Sequence, residues 1–306
     1  MGGESMTVVV AGGTGFIGSA LIDALLARGD KVVLLTRTPA AALLRWDAKV
    51  ETRLWNAKDP GPWALALDGA DAVVNLAGEN VAAGRWTAER KSLLVKSRID
   101  STRALVSAIS AVRRRPRVLL SASAVGYYGG TAGDCAEDSP QGDDFLAALC
   151  GKWEREAGAA ETLGVRTVTP RIGVVLEKDG GALAKMLLPF KLGVGGPLGS
   201  GRQAFAWVHR DDVVGAVLFL LDNEIKGPVN VAAPDIKTNA AFSKALGRAL
   251  HRPAFLPAPA FALKLILGEM AGMLLKGQRA VPKKLLGAGY KFKHPAIDGA
   301  LDAILR

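Results

Sequence analysis

Cysteine is nearly absent. Cys135 and Cys150 are the two in 306 residues, too few and too widely spaced for a zinc site or a disulfide framework, and they suit a reducing cytosol. Histidine is as scarce: His209, His251 and His294 share no metal-ligand spacing, so no metal is expected. Apolar runs long enough to span a membrane are missing too. Residues 258–267 are too short and carry Lys264, although residues 257–275 as a whole are greasy. That stretch reads as a helix pair packing on the domain or on a partner subunit, with a membrane-surface role as the alternative. No charged start followed by an apolar run marks a secretory signal, and residues 1–6 read as a leader with Met6 as the natural start. The formal net charge is +10, yet its tightest cluster, Arg113 to Arg115 with Arg117, lacks interleaved aromatics, which argues against nucleic acid. Repeats and low-complexity tracts are absent, and 49% apolar content supports a large core.

What is present is concentrated near the start. Thr7 to Ala11 is a short apolar run of the buried-strand type, followed by Gly12-Gly13-Thr14-Gly15-Phe16-Ile17-Gly18 and then a helical pattern from Ser19 to Arg28. Gly13, Gly15 and Gly18 satisfy G-x-G-x-x-G, and Gly12, Gly15 and Gly18 satisfy G-x-x-G-x-x-G. Glycines at these spacings give a tight turn, backbone approach to a pyrophosphate and close helix-on-strand packing, at a helix N-terminus that favours anions. The second strand, Lys31 to Thr36, sits where a βαβ unit needs it. Residues 31–46 contain no acid to take a ribose 2′-hydroxyl. Arg37 stands at the strand end instead, and a guanidinium matches a 2′-phosphate; NADP(H) is therefore expected ahead of NAD(H), the alternative being that Arg37 is an ordinary surface charge.

Further strand-like runs at 50–54, 71–77, 117–122 and 165–169, separated by helical patterns strongest at 97–112 and 145–163, predict a doubly wound (Rossmann) parallel α/β sheet. After residue 170 the rhythm loosens into a glycine-rich loop at 193–201, a short strand at 204–208, a helix at 212–221 and a strand at 229–231. Residues 7–250 read as the dinucleotide-binding domain with substrate-side insertions after 170, and residues 251–306 as a small, mostly helical C-terminal lobe.

The stretches 11–18, Asn75-Leu76-Ala77-Gly78-Glu79-Asn80, 97–103, 121–129, Trp153-Glu154, Pro170-Arg171, 207–212 and the tail together resemble the extended and atypical short-chain dehydrogenase/reductases, of the NAD-dependent epimerase/dehydratase kind. Within that family the chain is similar to a subfamily ending in a small domain of unknown function. The resemblance implies that Asn75, Leu76 and Ala77 lie along the cofactor's adenosine ribose and phosphates, with Gly78 continuing toward the nicotinamide. It also implies that the Ser123 hydroxyl bonds a substrate oxygen; the alternative is that Ser123 caps a turn. Related enzymes use a Tyr-x-x-x-Lys pair as acid and base. Here Tyr127 precedes Thr131 by four residues, Tyr128 precedes Ala132, and Ala148 precedes Lys152, so the pair is missing.

Tyr127 and Tyr128 remain candidate proton donors, or rings packed in a turn, and Lys152 reads as a solvated charge. Glu79, Asn80, Gln203 and Trp207 are candidate substrate contacts. His209 reads as a structural hydrogen-bonding partner, and Asp211 and Asp212 as N-terminal helix caps. The function expected is an NADP(H)-binding oxidoreductase or epimerase-like enzyme on a small molecule, cytoplasmic; the resemblance implies pairing as a homodimer through the helices at 97–112 and 145–163. The alternative is a non-catalytic dinucleotide-binding protein acting through protein contacts, as in division or redox sensing.

Overall fold

Apolar runs without alternation must be covered on both faces, and the computed structural model, which describes residues 5–59 and 61–306, shows how. Strands β1 (Thr7–Ala11), β2 (Lys31–Thr36), β3 (Val50–Leu54), β4 (Ala72–Asn75), β5 (Val118–Ser121), β8 (Arg166–Ile172) and β12 (Gly227–Val231) form one parallel sheet in the order β3-β2-β1-β4-β5-β8-β12. A two-residue strand, β6 (Ser123–Ala124), continues past β5 and pairs with β8. Side chains alternate between two cores. Val8 and Val10 face Leu21, Ile22 and Leu25 of helix α1 (Phe16–Arg28) and Val213, Val217 and Leu220 of α6 (Arg210–Asp222). Val9 and Ala11 face Leu105 and Ile109 of α3 (Ala88–Ala111), beside which α4 (Phe145–Gly158) packs.

A third core draws on β9 (Val174–Glu177), α5 (Gly181–Lys191), α7 (Asn239–Ala249) and α11 (Ile297–Leu305), so the C-terminal end is built partly from residues before 250. Short pairs complete the chain: β7 (Asp134–Cys135) with β14 (Arg279–Ala280), β9 with β11 (Trp207–His209), and β10 (Ala204–Phe205) with β13 (Lys237–Thr238). The remaining helices are α2 (Pro39–Trp46), α8 (Ala260–Leu267), α9 (Ala271–Leu275) and α10 (Lys283–Gly287).

Several boundaries move. The helix expected at 97–112 starts at Ala88, where the Thr87 hydroxyl caps Arg90 N–H at 3.2 Å. The run 71–77 leaves the sheet at Asn75, and the strand expected at 204–208 is split between two partners. Of the expected leader, residues 1–4 lie outside the described residues. Ser5 and Met6 are tied down by bonds to Gly29 O (2.7 Å) and Asp30 Oδ1 (3.0 Å).

Candidate functional site

The carboxyl ends of β1, β4 and β5 meet around the glycine turn. Gly12 has φ +77, and a Cβ there would lie 2.6 Å from Leu76 C and 2.7 Å from Ala77 N. The end of β4 touches the turn because residue 12 has no side chain. At Gly13 a Cβ would strike Ile22 Cδ1 and Leu34 Cδ1, both at 2.6 Å, and at Gly18 it would sit 2.3 Å from Gly12 O. These three glycines serve packing. Gly15 differs: its backbone (φ −78, ψ 177) suits any L residue, and a Cβ would meet only Gly12 O, at 3.2 Å. Its missing side chain keeps open the space before the first turn of α1, whose leading N–H groups have no partner within the helix. Thr14 and Gly15 are exposed there, with Phe16 and Ile17 half-buried behind them. The donor set suits an anionic pyrophosphate.

Asn75 is fully buried. Its Nδ2 donates to Thr102 Oγ1 (2.9 Å) and Ser121 Oγ (3.2 Å), and its Oδ1 accepts from Ala77 N–H (3.1 Å). It therefore shapes the 75–77 turn beside the cradle. Gly78 lies against the Arg98 guanidinium, which donates to Glu79 O at 3.0 Å; burial holds the Arg98 pKa below its ordinary value. Arg37 directly follows β2, is exposed, and pairs with no acid among the described residues.

Behind this edge lies a polar chain that sequence reasoning missed as a unit. Buried Ser123 donates to Glu154 Oε1 at 2.6 Å. Arg171 grips the same carboxylate through Nε and Nη2, both at 2.8 Å, and donates from Nη1 to the Tyr128 hydroxyl at 2.9 Å. The face of α4 turned toward Ser123 carries Leu146, Cys150 and Glu154 at i, i+4 and i+8, while Lys152 is exposed on another face. Burial and the Glu154 charge push the Cys150 thiol up to about 11, so it stays protonated. Glu154 is the ionisable acceptor on that face.

The two tyrosines part company. Tyr128 is buried, its hydroxyl donates to Asn230 Oδ1 (2.7 Å), and burial pushes its pKa up to about 12. It forms a strut between β8 and β12, in keeping with the alternative of a ring packed in the turn. Tyr127 is half-buried, its ring lies 3.4 Å under the Arg171 guanidinium, and its hydroxyl makes no hydrogen bond among the described residues.

The substrate-side candidates scatter. Glu79 pairs with Arg90 at 3.4 Å, and exposed Asn80 closes its own turn by accepting from Ala82 N–H at 2.9 Å. Gln203 Nε2 ties Leu198 O (2.9 Å) to Leu274 O (3.0 Å), leaving Oε1 buried and without a partner among the described residues. Trp207 is corrected to a core residue: it is fully buried, and its indole N–H donates to Asp235 O at 2.8 Å, because β11 pairs with β9 and turns the ring inward.

The helix caps are corrected as well. His209 Nδ1, not an aspartate, caps α6 by accepting from Asp211 N–H at 3.0 Å, which makes it the structural partner expected. Buried Asp212 accepts instead from Lys293 N–H (2.6 Å) and His294 N–H (2.9 Å), fastening the tail. His294, which its spacing kept apart from His209, stacks on it with ring centroids 3.8 Å apart. Ligand atoms of His209, Asp211 and His294 lie within 4.8 Å of one another, but Lys293 Nζ already holds Asp211 at 2.6 Å. Burial, then the neighbouring His294, brings the His209 pKa down to about 4.

A parallel sheet in this strand order, with a glycine cradle at the N-terminus of α1, defines a Rossmann-type dinucleotide-binding protein. Residues 8–232 match the NAD dependent epimerase/dehydratase family, and residues 258–304 match a domain of unknown function, DUF1731. The chain belongs to the NAD dependent epimerase/dehydratase family. It is 41% identical to the Epimerase family protein SDR39U1 of Bos taurus over 309 residues, covering 98% of this chain and 100% of that protein. It is 43% identical to the chloroplastic SDR39U1 homolog of Arabidopsis thaliana over 307 residues, covering 99% and 88%. The crystal structure of human SDR39U1 (isoform 2) with NADPH superimposes with a TM-score of 0.87 at 39% identity, covering 98% of this chain and 99% of that one.

Proposed function

We propose that this protein binds NADP(H) and acts as an oxidoreductase or epimerase-like enzyme on a small molecule. The observation that carries the proposal is the cradle: Gly15 open before α1, the 75–78 segment against Gly12, and Arg37 at the end of β2, which pairs with no acid among the described residues. The NADPH in the human relative's crystal structure supports it. When bound, the nicotinamide exchanges a hydride at C4 with the substrate carbon. Ser123 and Glu154 then replace the missing Tyr-x-x-x-Lys pair. Because the Ser123 O–H already points at Glu154, its oxygen accepts a proton from a substrate hydroxyl as its own passes to Oε1; Arg171 holds that carboxylate in place through two charge-assisted hydrogen bonds. In the reductive direction the proton returns by the same route or comes from the free Tyr127 hydroxyl.

The test is a screen of alcohols, carbonyls and sugar nucleotides for NADP(H) turnover, with Ser123→Ala and Tyr127→Phe beside the parent. Turnover lost in Ser123→Ala supports the relay. A cellular phenotype that survives both substitutions but not Arg37→Ala favours the non-catalytic reading, for which the missing acid/base pair speaks. We further propose a homodimer through α3 and α4, whose outer faces expose Leu93 and the Arg103–Glu156 pair; a monomer by light scattering refutes it. Two buried free thiols suit a cytoplasmic setting.

A further inference from the structure

The apolar residues that sequence reading placed against the domain or a partner subunit, with a membrane surface as the alternative, are bare. In α8 no residue is fully buried, and Phe261, Leu265 and Ile266 are 74%, 75% and 65% exposed. The end of α5 and the loop after it leave Leu188, Leu192 and Val194 exposed as well. The chain joins these two regions: Ala258 bridges Leu198, Arg252 Nε donates to Lys191 O at 3.1 Å, and exposed Phe255 follows directly. Single exposed apolar side chains are ordinary, whereas a linked set of this size marks a docking surface.

Charge identifies the occupant. Residues 181–202 and 239–268 contain seven lysines and arginines and no acid. Three cationic side chains, Lys244, Arg248 and Arg252, together with His251, line an open pocket of about 820 Å³ whose apolar rim includes Pro197 and Phe255. Arg248 is partly neutralised by Asp298 at 2.6 Å; among the described residues the others meet no acid. A second copy docking through the same face would set cation against cation. A surface that offers a dense layer of phosphates above hydrocarbon complements both features at once.

We propose that this face docks on anionic phospholipid, with the Lys244–Arg252 pocket taking a headgroup phosphate and the side chains of α8 and Phe255 entering the acyl boundary. The test is co-sedimentation of the full chain with vesicles of POPC alone or with about 30 mol% POPG, the lipid charge expected to raise binding about 100-fold. About 0.5 M NaCl weakens the binding strongly, while free inorganic phosphate does not compete. Lys244→Gln with Arg252→Gln loses the preference for POPG, and Phe261→Ser with Leu265→Ser releases the protein, each with unchanged far-UV circular dichroism. Equal binding to both vesicle types, no binding, or binding unchanged in either variant overturns the proposal. So does a dimer that Phe261→Ser with Leu265→Ser converts to monomer without any vesicle binding, which assigns the face to a second copy.

Discussion

Two glycines three residues apart, Gly15 and Gly18, separate cofactor binding from folding. In Gly18→Ala the new Cβ sits 2.3 Å from Gly12 O and 2.7 Å from Gly13 Cα, all backbone, so α1 must move off β1. Overpacking of that kind costs about 1–3 kcal/mol. In Gly15→Ala the backbone angles are already those of an ordinary residue, and the one close atom, Gly12 O, is at 3.2 Å. The loss of chain entropy in the unfolded state offsets that contact, and stability stays within about 1 kcal/mol of the parent. The methyl group, however, occupies the space before the first turn of α1. In urea unfolding followed by tryptophan fluorescence, NADPH at 100 times its Kd adds about 2.7 kcal/mol to the parent. Gly15→Ala gains almost nothing from the same NADPH, and Gly18→Ala is weakened with or without it. A Gly15→Ala protein stabilised by NADPH as fully as the parent refutes the assignment of that space to the pyrophosphate.

Glu154→Gln leaves the buried Arg171 charge without its carboxylate and lowers stability by about 3–5 kcal/mol in the same assay. Tyr128→Phe orphans the buried Asn230 Oδ1, leaves Arg171 Nη1 with Glu137 O (3.2 Å) as its remaining partner, and costs about 1–3 kcal/mol, while Tyr127→Phe removes no hydrogen bond and changes stability by less than about 0.5 kcal/mol. Because the folded His209 titrates near 4 and the unfolded residue near 6.5, the stability it confers is complete above pH 6.5 and falls as the pH drops toward 4. The loss is on the order of 3 kcal/mol at most; His209→Asn, which can still cap α6, flattens that slope in urea midpoints measured between pH 7 and 4.5.

The βαβ start was legible because its signals are local: an apolar run, glycines at fixed spacing, a second apolar run. Arg37 was legible for the same reason, as the residue directly after a strand. The Ser123–Glu154–Arg171–Tyr128 chain was not, since Glu154 and Arg171 look like surface charges until α4 and β8 bring them together across 17 residues of sequence. Trp207 misled because a strand of three residues does not reveal which face its partner will cover. The stacking of His209 on His294 and the anchoring of Lys293 by Asp212 depend on a tail that returns from 81 residues away, beyond any spacing rule.

The central claim is that the cradle holds NADP(H) and that Arg37 selects the 2′-phosphate. Titration of the purified protein with NADPH and with NADH, read by nicotinamide fluorescence with Arg37→Ala alongside, tests it most directly. The account predicts that NADPH binds at least about tenfold tighter than NADH, that Arg37→Ala removes most of this difference, and that NADH affinity is unchanged, as expected for one lost charge-assisted contact. Equal affinity for the two nucleotides, or binding of neither, contradicts it.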